Sequence, residues 1–152
     1  MPTKIQSYRD LIAWQKAMDL VELVYRVTSG FPPAERFGLT AQMRKAAVSV
    51  ASNIAEGTRH RLPGYISRIT IALGEHAELE TQALVAERLG YLTSSGLDTF
   101  SQLSTEVGEL THGLRRSLQA RLERQREQGL TNPPQITASQ IPPNPKSRIP
   151  NP

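Results

Sequence analysis

Proline placement constrains this chain more than any other feature. Eleven prolines occur in 152 residues, and seven of them follow Asn132. The other four are Pro2, Pro32, Pro33 and Pro63. Proline removes a backbone donor and its ring clashes with the preceding turn, so helix interiors exclude it. The long proline-free stretches are where helices can form, and each carries apolar residues at helical spacing.

The first helix is expected over about residues 7–28. Ser7 and Asp10 resemble a capping box, with Asp in the usual place of Glu. Leu11, Trp14, Met18, Val21 and Tyr25 recur at steps of three and four, which puts them on one face. Gly30 and then Pro32-Pro33 end it. The second is expected over about residues 40–55, with Leu39, Met43, Ala47, Val50 and Ile54 as its stripe. The third, about 64–92, carries Tyr65, Ile69, Ala72, Leu79, Ala83 and Ala86. The fourth, about 97–128, carries Phe100, Leu103, Val107, Leu110, Leu114, Leu118 and Leu122. Long helices with short connections pack as antiparallel neighbours. The expectation is an all-α, up-down-up-down antiparallel four-helix bundle over residues 1–128. Residues 129–152 are rich in Pro, Asn, Gln and Ser and are expected to be a disordered tail.

The second helix has no charge from Ala46 to Ala55 and is small or apolar nearly all round. One bundle core cannot cover such a helix on every side. The surplus points to a subunit interface made by Ala46, Val48, Ser49, Ala51, Ser52 and Ala55. The bland alternative is that Ala and Ser are simply tolerated on an exposed helix.

Several residues resemble a known family. Phe31-Pro32 leads to Phe37-Gly38-Leu39, then to Gln42-Met43-Arg44-Lys45-Ala46-Ala47-Val48-Ser49-Val50 and Asn53-Ile54-Ala55-Glu56-Gly57. Gly74, Glu78-Leu79-Glu80-Thr81 and Leu89-Gly90-Tyr91-Leu92 follow in order. The series is similar to the four-helix-bundle proteins of 23S ribosomal RNA intervening sequences, over about residues 8–120. That family is related to accessory proteins of diversity-generating retroelements. The resemblance implies a small cytosolic bundle that forms rings, with pentamers expected, and a basic surface that contacts nucleic acid. The chain departs from the family pattern at Thr58–Gly64. This stretch is one residue shorter, with Leu62-Pro63-Gly64 in place of a capping Ser or Thr.

The formal net charge is +4, but Lys146 and Arg148 lie in the proline-rich end. Residues 1–132 hold 16 basic and 14 acidic groups, a net of +2, so nucleic-acid binding needs local clustering. An up-down-up-down bundle puts the loop between helices two and three at the same end as the close of helix four. Arg59, His60, Arg61 and Arg68 would then join Arg121, Arg124 and Arg126, and hold RNA or DNA phosphates by summed charge. The loop has no aromatic residue suited to base stacking, so the expected contact is to the backbone. Cations are also common near helix C-termini for electrostatic reasons alone. Asn53, Glu56 and Glu78, with Arg44, are expected to form a buried polar network that fixes helix register.

Catalytic patterns are missing. The chain has no Gly-rich phosphate loop, no Ser elbow and no cysteine. Glu109 and His112 supply one Glu-x-x-His pair, whereas a di-iron bundle needs two. No metal, cofactor or enzymatic activity is expected. The start has no apolar run of a signal peptide, and Ala46–Ala55 is too short to span a bilayer. A cytoplasmic homo-oligomer is the expectation, with nucleic acid or a ribonucleoprotein as partner. The alternatives are an accessory protein binding a reverse transcriptase and its RNA, a carboxylate-site enzyme, and a ring that binds only protein.

Overall fold

The computed structural model describes residues 4–131. Among them are four α-helices and two short 3-10 turns, and no strand. The helices are α1 (Ile12–Thr28), α2 (Leu39–Gly57), α3 (Leu62–Arg88) and α4 (Ser94–Thr131). Residue pairs fix their directions. Arg44, early in α2, reaches Thr28 at the end of α1. Gly57 closes α2 against Tyr65 at the start of α3. His76 in α3 meets Ser104 in α4. Lys16 in α1 pairs with Glu106 in α4 at 3.3 Å. The chain therefore runs up and down around one core.

Local chemistry sets the boundaries. Ser7 and Asp10 form the expected capping box, with Asp10 Oδ2 accepting from the Gln6 and Ser7 amides at 2.8 and 3.0 Å. It caps a 3-10 turn over Tyr8–Asp10, however, and α1 starts only at Ile12 because Leu11 is extended. Glu35 begins α2, its Oε2 accepting the Leu39 amide at 2.8 Å. Pro63 falls within the first turn of α3, where its missing N–H costs little. The same helix stops at Arg88, short of the expected Leu92. Gly90 takes φ +76°, and the Tyr91 amide reaches back to the Ala86 carbonyl. This left-handed glycine closure ends a helix whatever the apolar pattern beyond it. Thr93 Oγ1 accepts the Gly96 amide at 3.0 Å, so α4 starts three residues before the expected Leu97. At its far end α4 continues to Thr131, past the expected close at Gln128. The rest of the expected tail, residues 132–152, lies outside the described residues.

The core is aliphatic. Leu20, Met43, Ile54, Ile69, Leu79 and Leu118 are its largest fully buried side chains. Helix α1 departs from its expected stripe. Ala13, Ala17, Leu20 and Val24 face inward, while Met18 and Tyr25 are exposed and Trp14 and Val21 are half-buried. Two interleaved faces satisfied the same spacing, and the one with the smaller residues allows closer helix approach. Buried hydroxyls on Thr28 and Thr111 donate to the carbonyl one turn back, at 2.7 Å each, so they enter the core without an orphaned donor.

Candidate nucleic-acid interface

The short connections 58–61 and 89–93 turn α3 back on α2 and α4 back on α3, which brings the helix 2–3 loop and the later turns of α4 to one end of the bundle. There Arg59 and Arg121 line a groove of about 470 Å³. Ile5, Thr58, Ser117, half-buried Leu114 and the half-buried Tyr8 and Tyr65 also line it, backed by the core residues Leu11 and Leu118. No carboxylate lines it. Tyr65 was read from the sequence as a core residue. Its ring does pack against Gly57, but the side chain is half-buried and also faces the groove. Burial pushes its phenol pKa above the ordinary value, and nearby Arg121 partly opposes that shift. The phenol is therefore a neutral group at physiological pH. Tyr8 packs edge-on against Trp14 with ring centroids 5.3 Å apart. The helix expected over about residues 7–28 includes Tyr8, but the 3-10 turn over Tyr8–Asp10 and the extended Leu11 set its position instead.

The seven expected basic residues do not form one patch. Arg59 and Arg121 share the groove. Arg68 is held by Glu56 at 2.9 Å and by the Asn53 side-chain oxygen at 3.5 Å. His60 lies 4.0 Å from the same Glu56 carboxylate. Arg61 caps α3 through its backbone, its carbonyl accepting the Tyr65 amide at 2.8 Å. Arg124 and Arg126 are exposed on the last turns of α4. Arg124 follows Arg121 by three residues and shares its side of the helix. Arg126 follows by five and points about 140° away, given about 100° per residue.

The expected four-residue polar network is divided. Asn53 and Glu56 do meet, but through Arg68. Asn53 also donates to the Ser49 carbonyl and hydroxyl at 2.9 and 3.1 Å. Arg44 belongs to the α1 side, donating to Thr28 Oγ1 at 2.9 Å and lying over the Tyr25 ring at 4.5 Å. Glu78 is several turns from Asn53 and accepts from Gln82 at 3.1 Å. The sequence placed these polar residues near core positions but could not say which turn of the neighbouring helix each would face.

A polar cluster that the sequence did not reveal joins α3 to α4. His76 is buried, its Nε2 lying 2.7 Å from the Ser104 carbonyl and 2.9 Å from Ser104 Oγ. A carbonyl only accepts, so Nε2 carries the proton. Ser104 Oγ donates to Glu80 at 2.9 Å. Serine, histidine and carboxylate come together here, but Ser104 is fully buried and its proton is engaged. The group ties two helices together and offers no accessible nucleophile. The Glu109–His112 pair finds no further ligands, and no group of three or more metal-binding side chains occurs among the described residues.

The expected interface residues on α2 divide by burial. Ala46 and Ala51 are covered within the subunit, which removes them from any outer surface. Val48 and Ser52 are exposed, and Ser49 and Ala55 are half-buried. Phe37, at the entrance to α2, is 87% exposed with Arg36 stacked on its ring at 5.3 Å. Ile71, Leu84 and Val85 are exposed on α3. No helix among the described residues is long and apolar enough to cross a membrane.

A family model described as 23S rRNA-intervening sequence protein matches residues 9–113. That span includes the helix 2–3 loop but ends before Arg121, Arg124 and Arg126. No match is found among curated proteins. The fold is similar to a crystal structure of a protein of unknown function from the S23 ribosomal protein family of Bacteroides thetaiotaomicron. Sequence identity is 20% and the TM-score 0.62, with 68% of this chain and 98% of that chain covered.

Proposed function

The chain belongs to the 23S rRNA-intervening sequence protein family, and from that premise we propose that it is a non-enzymatic, self-associating bundle that binds nucleic acid at its basic end. The carrying observation is the convergence of Arg59 and Arg121, from separate elements, on a groove that no carboxylate lines. Two exposed guanidinium groups on one concave surface act together on a phosphate chain. They form planar, multiply bonded contacts that a lysine pair does not. Repetition of this end in a cyclic assembly multiplies the charge seen by one strand. Exposed Phe37, Val48, Ile71, Leu84 and Val85 support that assembly, because they leave apolar area on the α2 and α3 sides for a neighbouring copy. The family resemblance supports a pentamer and a cytoplasmic location as part of this reading.

The test is fluorescence anisotropy with labelled RNA and DNA at two salt concentrations. The wild type binds at low salt and loses affinity as salt rises. Joint replacement Arg59→Ala and Arg121→Ala weakens binding to every sequence alike. Absence of wild-type binding at low salt sinks the proposal. Light scattering tests assembly separately, with Val48→Glu expected to reduce the mass.

A further inference from the structure

The groove at the basic end has accessible apolar groups in its lining, which a surface that only neutralises phosphates does not need. A duplex presents its charged backbone outward and keeps its bases stacked inside, so it would leave exposed Ile5 and half-buried Tyr8, Tyr65 and Leu114 uncovered. An unpaired nucleotide presents both parts, a phosphate and an exposed aromatic face. The space of about 470 Å³ is within the range of small-ligand sites. Exposed Arg59 and Arg121 and half-buried Tyr8 and Tyr65 all line it.

We propose that this groove receives one unpaired nucleotide of a single strand, its phosphate held by Arg59 and Arg121 and its base against Tyr8, Tyr65 and Leu114. The inference rests on the nucleic-acid reading above and narrows it to single-stranded ligands. Stacking is tolerant of base identity because every base has a π face. The groove thus selects an unpaired strand without selecting a sequence. Tyr65 stays uncharged, so its ring does not repel the phosphate, and its hydroxyl is available to donate.

The experiment uses the full chain and three labelled probes of equal phosphate number. These are a single-stranded oligonucleotide, a blunt duplex and an abasic single strand. The single strand binds roughly tenfold more tightly than the other two, the scale of one stacked base. Ser117→Phe fills the groove from an exposed position and brings the single strand down to the duplex level, leaving duplex binding unchanged. Tyr8→Leu, which keeps apolar bulk, lowers only the single-strand affinity. Equal binding of all three probes, unaffected by Ser117→Phe, overturns the groove inference while the basic-end reading stands. Failure of every probe to bind at low salt overturns both.

Discussion

The ring of Tyr65 lies so close over Gly57 that a Cβ added to that glycine would fall 2.5 Å from Tyr65 Cδ2. Gly57 is the last residue of α2, and Tyr65 stands in the first turn and a half of α3. The glycine of the Asn-Ile-Ala-Glu-Gly run thus has a packing explanation. It lets the two helices close around a short loop and sets one wall of the candidate groove.

Gly57→Ala is therefore expected to destabilise the fold. Alanine gains about 1 kcal/mol over glycine by helix propensity alone. Overpacking against the ring costs about 1–3 kcal/mol, so the net loss is up to about 2 kcal/mol in urea unfolding. In a Tyr65→Ala background the ring is gone, and the same change becomes neutral or stabilising. Equal effects in both backgrounds would show that the ring is not the obstacle.

His76 makes the corresponding demand on Gly108. A Cβ at Gly108 would lie 2.9 Å from His76 Cε1, and the ring cannot swing away without losing its bond to the Ser104 carbonyl. Overpacking at Gly108→Ala costs about 1–3 kcal/mol, offset by about 1 kcal/mol of helix propensity, so the net loss is up to about 2 kcal/mol. Most of this penalty should disappear when His76 is also replaced by Ala. A double-mutant cycle by thermal melting, showing coupling between the sites, is the check.

The fold was legible where one physical effect dominated. Proline separated α1, α2 and the stretch that holds α3 and α4, and the apolar stripes of α2 and α3 named most of their buried apolar residues. Reading failed where two signals had equal claims. In α1 the aromatic-rich stripe through Met18 and Tyr25 lost to Ala13, Ala17, Leu20 and Val24, because close helix approach favours small residues. Polar core members such as His76 and Ser104 have no pattern of their own, since their burial depends on a partner some thirty residues away. At the candidate site, the topology was enough to bring Arg59 near Arg121. Pairing of Arg68 with Glu56 depended on side-chain reach between helices, which spacing along the chain does not encode.

Gly90 offers a test free of packing effects. Its φ is +76°, and nothing lies within 4 Å of an added Cβ. Gly90→Ala therefore pays only for left-handed backbone, about 1–2 kcal/mol. Gly90→Asn should cost less, because asparagine tolerates that conformation better. Chemical denaturation of the two variants gives the order directly, and equal losses would point to some other cause.

Tyr65 gives the fold a dependence on alkaline pH. Its folded pKa is raised above the ordinary value of 10.0, chiefly by burial. The unfolded chain releases this proton first, so the stabilising difference is intact below pH 10 and is lost as pH rises through the folded value. Tyr65→Phe should flatten that decline in a series of melts from pH 8 upward. An unchanged slope would assign the alkaline loss to other groups.

Glu56 holds down the charge of the basic end. It takes Arg68 at 2.9 Å and stands 4.0 Å from His60, although about half of its side chain is exposed. An ion pair so open to water contributes only about 0–1 kcal/mol to stability. Its larger effect falls on ligand binding, because it cancels a cation next to the groove. Glu56→Gln should therefore leave the melting temperature nearly unchanged and tighten binding of an oligonucleotide. If Arg68 is released to reach a phosphate, the slope of log affinity against log salt steepens by about 1. Adding Arg68→Ala to Glu56→Gln should abolish that steepening, because the freed cation is then gone. A Glu56→Gln variant that melts several kcal/mol less stably, with its salt slope unchanged, would make the pair a structural tie and not a brake on the basic end.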